Sequence, residues 1–170
     1  FASSLDVRTP ENRILGSTQD LMEELEKREF PIVLKSDFGA AGDGVRICKT
    51  RDEAIKGFKD LEESMVRISG LTSIKERIKK LLDLPVYFFK QSISIQNYVS
   101  GTPCMHGIFA SNGEVLSSVT LLKTECFPEV IGPSCVIEAI KHEQITKDVA
   151  RMVSETKYTG FGSFDFIIDK

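Results

Sequence analysis

The segment Pro31-Ile-Val-Leu-Lys35-Ser-Asp-Phe-Gly39-Ala-Ala-Gly42-Asp-Gly44-Val45 carries the sharpest chemical signal in the chain. Its first part is a short apolar run ending in a lysine, which reads as a buried strand. Three glycines (39, 42 and 44) follow, and a second strand-like run opens at Val45. Glycines allow close backbone approach, so successive N–H groups can turn toward phosphate oxygens. A lysine at the strand's end reaches the same anion as a point charge. The pattern is not a Walker A loop, because no Gly-Lys-Ser/Thr follows and the next element is a strand rather than a helix. The dinucleotide fingerprint fails for the same reason. Strand, lysine, glycine loop and strand describe a flap over a nucleotide; the plainer reading is a flexible hairpin with a surface lysine.

Upstream, Leu21, Met22 and Leu25 line one side of a helix expected over residues 20–29, with Ser17 or Thr18 as its cap and Phe30-Pro31 as its stop. Downstream, Thr50 and Glu53 have capping-box spacing. They open a helix in which Ile55, Phe58, Leu61, Met65 and Ile68 recur every three or four residues. A second helical stretch follows Gly70, with Ile74, Ile78, Leu81 and Leu82 as its face. Its Lys75, Arg77, Lys79 and Lys80 read as a solvated side rather than a nucleic-acid surface. Beyond Pro85 the pattern becomes strand-like over residues 86–89, 93–99, 105–110 and 115–122, with Asn112-Gly113 as a hairpin turn. A looser Pro- and Gly-containing stretch, 127–134, leads to a short run at 135–137. Residues 142–157 read as a helix with Ile145, Val149, Met152 and Val153 on one face, and 161–169 alternate as a strand. The expected class is α+β in two lobes, with a seam near residues 91–101.

Composition narrows the function classes. The 170 residues hold 22 Lys+Arg and 25 Asp+Glu, a net charge of −3, with 41% hydrophobic and 28% charged residues. A pI near 5.5 and a mean hydropathy of −0.08 fit an ordinary globular domain. The acidic balance opposes a surface built to neutralise nucleic-acid phosphates. No apolar run approaches the roughly 18 residues of a membrane helix, and the N-terminal residues show no signal-peptide pattern. Cys48, Cys104, Cys126 and Cys135 are scattered, which predicts reduced thiols in a cytoplasmic protein rather than a metal site. Opening on Phe1 and stopping after an apolar run, the chain reads as a piece of something longer.

Two further stretches carry chemistry. Ile95-Gln96-Asn97-Tyr98-Val99-Ser100-Gly101 is an apolar strand running into a glycine turn, with Gln96 able to offer an amide to a base's exocyclic amine. Gly160-Phe-Gly162-Ser163-Phe164-Asp165-Phe166-Ile167-Ile168-Asp169 alternates, so Phe164 and Phe166 in a core would turn Asp165 outward with Ser163 and Ile167. A carboxylate in that row suits Mg²⁺, which takes one or two carboxylates plus phosphate oxygens.

In this order and spacing the three stretches resemble the ATP-grasp superfamily, which includes carbamoyl-phosphate synthetase, biotin carboxylase and D-alanine–D-alanine ligase. The resemblance covers about residues 18–169 and implies an ATP-grasp fold, two α+β lobes with the nucleotide between them. It divides the chain into a lead-in (1–17), a first lobe (18–90) and a second lobe (91–170) truncated before its last strands. It implies that Lys35 contacts the α- and β-phosphates, and that Gly39, Ala40, Ala41, Gly42 and Gly44 close over them. Gln96 would bond the adenine amine, the backbone around Asn97, Tyr98 and Val99 would read the ring edge, and Ile167 would pack on its face. Asp165 would hold Mg²⁺. Lys123, at the end of a strand, is the candidate for the γ-phosphate or acyl phosphate. The departures from the family pattern are these: the chain ends before the strand that carries the family's Glu-x-Asn pair, the usual N-terminal lobe and upstream lysine are absent from it, Ser36 replaces a frequent proline, Asn97 replaces a frequent acid, and Cys104 stands where an acid that bears on ribose contacts often follows the glycine turn.

The implied activity is that of a ligase: ATP phosphorylates a carboxylate, and an amine attacks the acyl phosphate. The cofactors would be ATP and Mg²⁺, and the partners a small-molecule carboxylate and amine, with no nucleic acid and no membrane. A homodimer is the candidate assembly. The alternative is a non-catalytic ATP-binding or regulatory module of the same fold. No Ser–His–Asp or Cys–His arrangement suggests a protein nucleophile, and His106 and His142 read as structural.

Overall fold

The computed structural model describes residues 1–37, 43–69, 92–127 and 132–169. The glycine-loop centre at 39–42, the helical stretch after Gly70 and the strand expected at 86–89 lie outside those residues, as do 128–131 of the looser stretch. The elements run in order: a short 3₁₀ helix (Ala2–Leu5), β1 (Asn12–Leu15), α1 (Thr18–Leu25), β2 (Ile32–Ser36), β3 (Val45–Cys48), α2 (Arg51–Ser69), β4 (Ile93–Asn97), β5 (Gly101–Ser111), β6 (Glu114–Cys126), β7 (Ser134–Ile140), α3 (Glu143–Thr156) and β8 (Gly160–Asp169). The class is α+β, as the sequence predicts.

The chain forms two compact units: Pro10–Tyr98 is the first lobe, and Phe1–Thr9 with Val99–Lys170 the second. This division differs from the expected one at two places. The expected lead-in splits: Asn12–Leu15 pairs with β4 in the first lobe, while Val7 is buried in the core of the second. Arg151 there donates to the Leu5 carbonyl (2.6 Å), and Arg8 pairs with Asp169 (2.7 Å). Residues 93–97 belong to the first lobe because β4 is flanked by β1 on one side and β2 on the other.

In the first lobe, four antiparallel strands stand in the order β1-β4-β2-β3. The helices supply Leu21, Leu25, Ala54, Phe58 and Leu61 to a core completed by Ile32, Leu34, Ile93 and Ile95 of the sheet. Both helix starts follow from local chemistry. Ser17 Oγ accepts from Asp20 N (3.2 Å) and Asp20 Oδ2 accepts from Gly16 N (2.8 Å). At α2, Thr50 Oγ1 accepts from Glu53 N (3.2 Å), but Glu53 returns its bond to Lys49 N (2.7 Å), one residue earlier than the standard box. α1 ends at Leu25 rather than near residue 29, because Lys27 N bonds back to the Glu24 carbonyl and closes a turn.

In the second lobe the order is β7-β6-β5-β8, again antiparallel throughout. Asn112 (φ 48°) and Gly113 (φ 87°) make the tight turn between β5 and β6, as the Asn-Gly pair predicts. β5 and β6 outrun the expected strands because their outward residues keep pairing after the apolar alternation stops. On one face α3 packs Ile145, Val149, Met152 and Val153 against Cys104, Ile108 and Ala110, with Phe164, Phe166 and Ile168 beside them. On the other face Phe109, Val119, Phe161 and Ile167 are exposed among the described residues. Among the described residues no helix is long and apolar enough to cross a membrane.

Candidate functional site

In the first lobe, β2 is buried from Ile32 to Leu34 and emerges at Lys35. Lys35 stands opposite Val45 on one side and Ser94 on the other, and among the described residues its side chain is unpaired. The neck of the glycine loop is tied shut: Ser36 N donates to the Gly44 carbonyl (2.8 Å) and Asp37 N to the Ser92 carbonyl (3.1 Å). Asp37 Oδ2 also accepts from Ser92 N (3.0 Å) and Ser92 Oγ (2.5 Å). Arg46 folds back to donate to the Asp43 carbonyl (2.7 Å). The lysine therefore leaves a rigid sheet beside an anchored loop mouth, while Gly39, Ala40, Ala41 and Gly42 lie outside the described residues.

Gln96 is half-buried near the end of β4, opposite Asn12 and Val33. Asn97 is more committed than its sequence suggests. Its N–H donates to the Glu11 carbonyl (3.1 Å), and its Oδ1 accepts from Arg28 Nη1 (2.5 Å). Its N–H is thus spent within the lobe. Arg28 also donates to Glu24 Oε2 (3.0 Å), and Arg13 donates to Glu24 Oε1 (2.7 Å). Burial pushes the Glu24 carboxyl up, but hydrogen bonds from Arg28 and Lys27 and the charges of Arg13 and Arg28 outweigh it, and its pKa ends below the ordinary value.

In the second lobe, alternation along β8 sends Phe164, Phe166 and Ile168 toward the core and Asp165 and Ile167 to the opposite face. Lys123 projects from the same face of β6. Its Nζ reaches across β5 to Asp165 Oδ1 at 2.8 Å, the lysine 26% and the carboxylate 78% exposed. Two residues chosen separately from the sequence therefore meet. Along β8 from this pair toward its N-terminus, Met105, Gly107, Phe109, Val119, Phe161 and Ser163 line an open hollow of about 610 Å³.

Cys48, Cys104 and His106 are buried in the fold, and His142 caps a helix. Cys104 lies fully buried between Leu122 and Phe166 in the register, on the core side, so its thiol does not take the place of a ribose-binding acid. Burial pushes that thiol's pKa up. Burial and the Glu53 carboxylate raise the Cys48 thiol to about 11. His106 is buried and bonded through Nδ1 to Thr120 Oγ1 (2.8 Å), and His142 caps α3 by accepting from Ile145 N (3.3 Å). Sequence reasoning missed Asp37, Ser92, Arg46 and the Arg28–Glu24 pair. Only the last had a local signal, its i,i+4 spacing, and that spacing predicts a surface pair rather than a buried one.

Known proteins match this architecture. A RimK-like ATP-grasp domain model matches residues 3–80. The biotin carboxylase domain of Hydrogenobacter thermophilus 2-oxoglutarate carboxylase, solved with MgADP, ADP and bicarbonate, matches 99% of this chain and 35% of its own. The TM-score is 0.75 at 16% identity. The fold is ATP-grasp. An L-amino acid ligase from Bacillus licheniformis shares it, with a TM-score of 0.68 and 19% identity over 99% of this chain and 37% of its own. By sequence, the ATP-grasp chain is 25% identical over 177 aligned positions to the phosphoribosylamine–glycine ligase of Clostridium acetobutylicum. That alignment takes in all of this chain but only 40% of the relative's length.

Proposed function

We propose that this chain is the ATP-binding core of a Mg²⁺-dependent ligase that activates a small-molecule carboxylate as an acyl phosphate for attack by an amine. The observation that carries the reading is the Lys123–Asp165 pair on that face of the second-lobe sheet. An exposed pair of this kind adds at most about 1 kcal/mol to stability, so the fold does not need it. A cation and a carboxylate presented side by side suit a ligand that is itself a polyanion carrying a divalent cation. Asp165 fits a magnesium ion that arrives on its nucleotide, with phosphate oxygens and water filling the other positions. Among the described residues no cluster of three or more His, Cys, Asp or Glu could hold a metal alone.

In the reaction, the bond from the γ-phosphorus to its bridging oxygen breaks as the carboxylate oxygen attacks, and ADP leaves. The amine then adds to the acyl carbon, phosphate departs with the bonding electrons, and the nitrogen's surplus proton passes to solvent. When bound, Mg²⁺ would offset phosphate charge. Lys123 would move from Asp165 to the transferring phosphoryl group, stabilising charge that grows in the transition state. Lys35 would hold the α- and β-phosphates under the glycine loop 39–44. Gln96 and the backbone of Tyr98 and Val99 would orient the base, and the exposed Ile167 would pack on it. ADP-bound and ligase-type relatives of this fold support the reading.

A homodimer and a cytoplasmic location belong to the same proposal. The test is release of ADP and phosphate by the full chain with candidate carboxylates and amines. Turnover that requires both substrates supports a ligase. Tight ATP binding with no stimulation by any pair assigns the non-catalytic binding module instead.

A further inference from the structure

We propose that Arg28 is a positioning residue for the nucleotide's base: it holds Asn97, and through it sets the backbone that reads adenine. The inference rests on the reading of residues 96–99 as the base-binding segment. Arg28 follows α1 in sequence, yet its side chain is only 4% exposed. One guanidinium meets three residues there: Glu24 of α1 (3.0 Å), the Asn97 side chain at the end of β4 (2.5 Å) and Glu11 ahead of β1, through both its carbonyl (3.4 Å) and its carboxylate (3.4 Å). A planar fork of donors can do this, whereas a lysine ammonium is a single point. The fork is itself fixed, because Glu24 is held from its other oxygen by Arg13 (2.7 Å) and Lys27 (3.4 Å).

The consequence falls on the next residues. Asn97 is the last residue of β4, and Tyr98, Val99 and Ser100 belong to no strand. Their path is therefore set by anchors at either end rather than by a ladder of hydrogen bonds. At the β4 end the anchor is double: the Asn97 N–H on the Glu11 carbonyl (3.1 Å) and the Asn97 amide oxygen on Arg28. Losing Arg28 frees the side-chain half of that anchor one residue before the base-reading groups. Phosphate contacts, which belong to other segments, are left as they were. The signature is a loss of base selectivity rather than of phosphate affinity.

The test compares Mg²⁺-supported binding of ATP, GTP and inorganic tripolyphosphate to the full chain by calorimetry, for the wild type, Arg28→Lys and Asn97→Ala. We expect the wild type to favour ATP over GTP, and each substitution to reduce that ratio about tenfold, the usual worth of a charge-assisted hydrogen bond. Tripolyphosphate affinity should stay within about twofold, well under the 1.4 kcal/mol that a factor of ten represents. Variants that melt earlier yet keep the wild-type ATP-to-GTP ratio would make Arg28 merely structural and overturn the inference alone. A wild type that binds ATP without preferring it to GTP would overturn the base-reading assignment, and one that binds no ATP would overturn the proposed function as well. If Arg28→Lys does not fold, Asn97→Ala carries the test, since it leaves the Arg28–Glu24 pair in place.

Discussion

His106 lies in the second-lobe core with Nδ1 on Thr120 and with Nε2 facing no partner among the described residues. Burial lowers its pKa from the ordinary 6.5, because a charged imidazolium there would lose its hydration without gaining a carboxylate. A group whose folded pKa is depressed contributes stability that is complete above the unfolded value and is lost as pH falls toward the folded one. The urea midpoint should therefore drop between pH 7.5 and pH 5.5, the range that brackets about 6.5. His106→Leu should flatten that slope while lowering stability overall by about 1–3 kcal/mol, since Thr120 loses its partner. An unchanged slope would show that the histidine does not titrate with unfolding. Glu24 has a lowered pKa too, but its contribution is lost only below its ordinary 4.5, outside that range. At this scale the orientation of some candidate site residues was legible. Alternation alone turned Asp165 and Ile167 outward. The Arg28–Asn97 contact spans 69 positions, and no pattern of neighbouring residues encodes it.

Elements are where local chemistry reads best. Ser17, the Thr50–Glu53 box, Asn112-Gly113 and the His142 start of α3 each announce a boundary within a few residues of sequence. Gly101 is different. The sequence reads it as a turn glycine, whereas the structure makes it the first residue of β5, opposite Asp169. A Cβ at Gly101 would collide with the Ile168 carbonyl and the Ile167 side chain of β8. Its partner lies more than sixty positions away, so only the strand pairing reveals the need for glycine. Gly101→Ala should cost about 1–3 kcal/mol, as overpacking against backbone does, and lower the thermal midpoint. Because β8 carries Asp165, the same variant should loosen amide protection along 160–169 more than along α3. Equal loss in both would mean that the close approach is not what holds β5 to β8.

At the scale of the molecule, the order of strand, lysine and glycine loop, the 95–101 segment and the 160–169 strand is what makes the sequence resemble ATP-grasp proteins. The ATP-grasp architecture, with its two antiparallel sheets, agrees with it. The lobe boundary was less legible. Residues 1–9 join the second lobe through Val7 and a few polar contacts with α3 and β8, an association across nearly the whole chain that leaves no periodic trace. Acceptor identity is likewise absent from the nucleotide-binding pattern, and the chain spans 40% of its glycine-ligase relative's length. Under the proposed function, Lys35 binds nucleotide phosphate and Asp165 binds the metal that accompanies it. Calorimetric titration of the full chain with ATP, with and without Mg²⁺, tests this assignment most directly. Lys35→Ala should weaken ATP binding about tenfold or more under both conditions, and Asp165→Asn should weaken Mg²⁺-ATP much more than metal-free ATP. Wild-type affinity in Lys35→Ala, or an equal loss with and without metal in Asp165→Asn, would contradict it.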